Sequence, residues 1–102
     1  MPSSSRISEI EISRAVMMIL ADEPGGEATM GRLKELIPSY VTLSEADCVQ
    51  STTRPNEELW EQQVRNITSH WQTEGNIIND GYVERVEGGL RITDAGRHHI
   101  QP

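Results

Sequence analysis

Phenylalanine is absent from this chain of 102 residues, and only Tyr40, Trp60, Trp71 and Tyr82 are available as aromatic anchors for a core. A single cysteine, Cys48, excludes an internal disulfide framework. No set of Cys and His stands at metal-ligand spacing, so no cofactor is expected and a reducing cytosol suits the composition. Long apolar runs are missing too: nothing approaches the roughly 18 residues of a membrane span. The start, MPSSSRISEIEIS, lacks a basic stretch followed by an apolar one. These absences point to a soluble, cytoplasmic protein with no membrane partner.

Positive charge is also scarce. Nine Lys and Arg face sixteen Asp and Glu, a net charge of −7, which opposes long-range attraction to phosphate. Any nucleic-acid role must rest on a local patch. Lys34 is the only lysine, and no carboxylates are spaced around it as a metal-dependent nuclease requires. The adjacent His98 and His99 read as solvated side chains, and Cys48 has no neighbouring base that would activate a thiolate. Catalysis is not expected.

What the chain does contain is organised by helical and strand spacing. Residues 1–6 read as a flexible tail, and 7–102 as one domain with a long loop over 38–55. Over residues 8–21, Ile12, Ala15, Val16, Ile19 and Leu20 recur at helical spacing. Ile7, Ile10, Met17 and Met18 form a second apolar side of the same helix. Either another element covers that side, such as the C-terminal segment, or Ile10, Met17 and Met18 join a partner, including a second copy in a homodimer.

Pro24, Gly25 and Gly26 stop this helix. A second one is predicted over 29–37, capped by Thr29, with Met30, Leu33, Leu36 and Ile37 inward and Pro38 ending it. Ser44 and Asp47 make a capping-box-like pair for one short helix, and the polar stretch 50–55 reads as a mobile loop. The third helix is predicted to start at Pro55 or Asn56 and to run at least to Thr73, with Asn79 its outer limit. At 100° steps, Trp60, Val64, Ile67, Trp71 and Ile78 fall in one stripe that must face the core. The opposite side carries Gln62, Arg65, Asn66, Ser69 and Thr73, with Glu58 its single acid. Arg can fork onto guanine, and Asn or Gln can pair with adenine. A recognition helix has this composition, and so does many a solvated helix face.

Two short strands, 82–86 and 90–93, follow around Glu87-Gly88-Gly89, with Val83, Leu90 and Ile92 inward and Arg85 and Arg91 outward or along the edge. Thr93 or Asp94 then caps a last turn. Three helices, a two-stranded wing and a short C-terminal helix make an α+β, mostly helical chain with the layout of a winged helix-turn-helix. In that layout Arg54, Arg85 and Arg91 would steady the DNA backbone beside the third helix.

The run from Leu59 to Arg97 also resembles the N-terminal winged-helix domain of Mrr-type restriction endonucleases and the related domain ahead of some HNH nucleases. In that family a tryptophan opens the third helix. A Gly, one or two apolar residues and a Glu enter the wing, and an Ile-Thr or Leu-Thr followed by Gly-Arg leaves it. Trp60, Gly81-Tyr82-Val83-Glu84 and Ile92-Thr93-Asp94-Ala95-Gly96-Arg97 match that pattern, and LSEADC around Ser44 resembles the family's short insert. The resemblance implies duplex DNA as partner and a nuclease domain in the same polypeptide or operon. The Thr-x-x-Gly-Arg ending is shared with many small winged-helix regulators. The chain departs from the family in its acidity and in having no catalytic domain after His99. A protein-interaction module on the same scaffold is the alternative reading, favoured by the acidic balance and the second apolar side of the first helix.

Overall fold

The computed structural model describes residues 7–52 and 56–101. Helix α1, Glu9–Asp22, begins where Ser8 and Glu11 satisfy each other: the Glu11 amide donates to Ser8 Oγ at 3.1 Å and the Ser8 amide to Glu11 Oε1 at 3.2 Å. Its stripe of Ile12, Val16, Ile19 and Leu20 is fully buried at the centre of the core. After the Pro24–Gly26 turn comes an unforeseen element, strand β1 (Glu27–Thr29). Three residues are too few for a period to show, and their partner is about sixty positions away.

β1 pairs antiparallel with β3 (Gly89–Ile92), which pairs antiparallel with β2 (Val83–Val86), so β3 is central in the order β1-β3-β2. Gly89 is required there, because a Cβ would strike the Ala28 carbonyl of β1. Val83, Leu90 and Ile92 point inward as expected. The cross-strand trio Glu84, Arg91 and Glu27 lies on the other face.

Helix α2, Met30–Tyr40, is capped by Thr29, whose Oγ1 accepts the Arg32 amide at 3.0 Å. The expectation that Pro38 ends it is corrected: the helix runs through Pro38, and the Val41 amide still reaches the Ile37 carbonyl at 3.1 Å. In a last turn Pro forfeits a single bond and little else is displaced. The short helix expected after Ser44 is a turn instead. The capping-box pair is real, with the Ser44 amide on Asp47 Oδ2 at 2.8 Å, but the Asp47 carboxylate is buried and also takes the Ile7 amide at 2.8 Å. Asp47 is therefore a tie between distant segments rather than a helix start.

Helix α3, Leu59–Ser69, is shorter at both ends than the periodicity suggested. Before it, residues 47–51 lie against its first turn: the Leu59 amide donates to the Val49 carbonyl and the Trp60 amide to the Asp47 carbonyl, at 2.9 and 3.1 Å. Ser51 is buried, so the reading of 50–55 as a mobile loop is corrected at that residue; Thr53, Arg54 and Pro55 lie outside the described residues. After α3, Asn76 Nδ2 donates to the Ile67 carbonyl at 2.9 Å, and turns continue through Gly75 (φ 90°) to Gly81. A side chain has replaced the helical donor.

Consequently Trp71 leaves the stripe and is 36 % exposed, while Ile77 takes the core position. Of the four aromatic anchors, Trp60 is buried and Tyr82 half-buried; Tyr40, like Trp71, lies at the surface and donates to Asp22 at 3.0 Å. Helix α4, Asp94–Ile100, is capped by Thr93 Oγ1, which accepts the Gly96 amide at 3.0 Å, and packs against α1. It covers part of α1's second side: Met17 is buried while Ile10 and Met18 are exposed. Among the described residues no helix is long and apolar enough to cross a membrane.

Candidate functional site

Two surfaces carry the residues singled out from sequence. The first joins α3 to the hairpin. Gln62, Arg65, Asn66 and Ser69 line one side of α3, Gln62, Arg65 and Asn66 half-buried and Ser69 exposed. Thr73 does not belong with them, because the helix ends at Ser69 and Thr73 turns toward α1. Arg54 lies outside the described residues. Arg85 is on the same face of β2 as Val83, yet past the core's edge, and its guanidinium sits 4.3 Å from the centre of the Trp71 ring. The edge of the hairpin and the turn after α3 are thereby in contact.

Acids occupy much of this surface's positive charge. Arg65 Nε donates to the Glu57 carboxylate at 3.2 Å, beside Gln62, whose Oε1 accepts the Ser51 hydroxyl at 3.0 Å. Arg91 lies between Glu84 (2.9 Å) and Glu27 (3.7 Å), both of which raise its pKa, the Glu84 hydrogen bond most. Arg32 is held in the same way by Glu23 at 3.2 Å and Glu35 at 3.4 Å. Among the described residues Arg14, Lys34, Arg85 and Arg97 remain outside ion pairs. Sequence reading missed Glu57 as Arg65's partner because it placed Glu57 inside the helix, two turns from Arg65, whereas α3 begins at Leu59 and Glu57 lies before it. Trp71's departure from the core was signalled, in part, by Gly75 four residues on.

The second surface is a cleft of about 660 Å³ between α1, the turns after α3 and α4. Ile10, Arg14 and Met17 line its α1 side; His70, Thr73, Glu74, Ile77 and Asp80 line the other. At one end His99 stacks on Tyr82 with ring centres 4.1 Å apart and planes inclined by 14°. Of the residues expected at a partner interface, Ile10 and Met17 belong to this cleft, and Met18 is exposed outside it. No group of three or more His, Cys, Asp or Glu among the described residues could hold a metal ion. Cys48 is exposed, and its pKa is raised by desolvation first, then by Glu58 and Asp47.

Comparison of the chain with family models, with curated proteins and with solved structures returns no match.

Proposed function

We propose that this chain is a winged-helix DNA-binding module, serving as the targeting part of a restriction-type nuclease or as a small regulator, with α3 in the major groove. The observation on which the reading rests is the contact of Arg85 with Trp71, which brings the hairpin against the turn that follows α3. The order helix, strand, helix, helix, strand, strand, with β3 central, supports it. In this reading Gln62, Arg65, Asn66 and Ser69 meet base edges, and Arg85 and Arg91 meet phosphate. Phosphate must compete with Glu57 for Arg65 and with Glu84 and Glu27 for Arg91, which keeps non-specific affinity low.

The test is a fluorescence-anisotropy titration with random-sequence duplex at two salt concentrations, comparing the native chain, Arg65→Ala/Arg91→Ala and Glu57→Gln. The expected result is binding that weakens with salt, is lost in the double variant and strengthens in Glu57→Gln, where Arg65 is released. Absence of binding by the native chain and by Glu57→Gln at low salt would refute the reading.

A further inference from the structure

We propose that the cleft between α1 and the turns after α3 is a docking groove for an amphipathic helix of a partner protein, apolar along one side and flanked by Lys or Arg. The floor is apolar, built by Met17 and Ile77, and Ile10 at its lip is 80 % exposed. A volume of about 660 Å³ is in the range of sites that take several side chains. An apolar helix side laid in the cleft meets Ile10 directly, with the nearly covered Met17 and Ile77 beneath it, through anchors spaced three or four residues apart.

Charge selects the occupant. Glu9, Glu74 and Asp80 line the cleft against Arg14 as its one permanent cation. Among the described residues these three acids have no ion-pair partner, whereas the acids beside Arg32, Arg65 and Arg91 are paired. A basic flank on the incoming helix therefore finds free carboxylates. A second copy of this chain fits worse, because two chains of net charge −7 would bring their acidic rims together. Duplex DNA is repelled by the same rim. The groove also stands apart from the α3 surface, where Gln62 and Arg65 face Ser51 and Glu57, so this inference does not depend on the DNA reading.

The experiment titrates the full chain with three synthetic helical peptides of about four turns, one of Leu and Lys, one of Leu and Glu, and one of Ser and Lys with the charge of the first. Calorimetry gives affinity, and two-dimensional NMR maps the contact. The Leu/Lys peptide is expected to bind, to shift the Ile10, Met17 and Ile77 resonances, and to bind at least about tenfold more tightly than the other two. Ile10→Asp alters a side chain already in solvent and should weaken it about tenfold while the remaining spectrum is retained; Glu74→Gln should weaken it less. Equal binding of the Ser/Lys peptide, shifts confined to another surface, or a dimer that Ile10→Asp dissociates would each overturn the proposal.

Discussion

Trp71 illustrates how a single side chain changes role when a helix ends early. At helical spacing it extends the Trp60, Val64 and Ile67 stripe; with the Ile67 carbonyl taken by Asn76, it emerges and stacks beneath Arg85. Arg85→Ala should leave the core untouched, shift the tryptophan emission as Trp71 becomes more hydrated, and cost about 0.5–1 kcal/mol by urea denaturation, the size of an exposed cation–π contact. Cys48 gives a second prediction at this scale. Its thiol is exposed, yet desolvation and the nearby Glu58 and Asp47 disfavour the thiolate, so alkylation by iodoacetamide near neutral pH should be slower than for a cysteine in a short peptide. Glu58→Gln should accelerate it, as followed by mass spectrometry. A native rate equal to the peptide's would contradict this environment.

Helix ends and segment ties decide the architecture at the next scale. Two starts were legible because capping is local: Thr29 and Thr93 each act within three residues, whereas the Glu58 and Glu61 pair that opens α3 went unread. Stops were not legible, because Pro38 is tolerated in a last turn and Asn76 reaches back nine residues to Ile67. Loss of the Thr93 cap in Thr93→Ala should cost about 1 kcal/mol. Gly96→Ala should cost more, since the new Cβ would meet the Tyr82 carbonyl where α4 enters the fold; equal midpoints for the two variants in urea would refute that packing. Asp47 unites the start of α1 with the turn before α3 through the Ile7 and Ser44 amides. Asp47→Ala leaves both donors without their acceptor in the interior, a loss of about 1.5–3 kcal/mol or more by the same measurement.

Across the whole molecule the excess of acids governs behaviour in solution. Among the described residues three arginines are absorbed by five carboxylates, and most remaining acids face solvent without a cation. Self-repulsion then outweighs the exposed ion pairs, each worth little. Thermal stability should therefore rise as NaCl shortens the Debye length from about 30 Å at 0.01 M to about 3 Å at 1 M. A melting temperature that falls over that range, in calorimetry, would mean that the pairs at Arg32, Arg65 and Arg91 dominate. The same acidity is the reason that Glu57→Gln is expected to strengthen DNA binding and that a basic helix suits the α1 cleft.

Composition and local spacing alone determined that the chain is α+β, that α1, α2 and α3 occur in that order, that Val83, Leu90 and Ile92 turn inward, and that Thr29 and Thr93 open helices. Such features depend on side chains a few positions apart, whose geometry the backbone imposes directly. Only the tertiary structure decided that Glu27–Thr29 joins the sheet, that Glu57 holds Arg65, that Trp71 leaves the core for Arg85, and that Ile10 and Met17 border a cleft. Each of those joins residues brought together by folding, with no period or motif to announce it. Most of the acids that meet the arginines are likewise brought there by the fold, Glu35 beside Arg32 on one helix being the local exception.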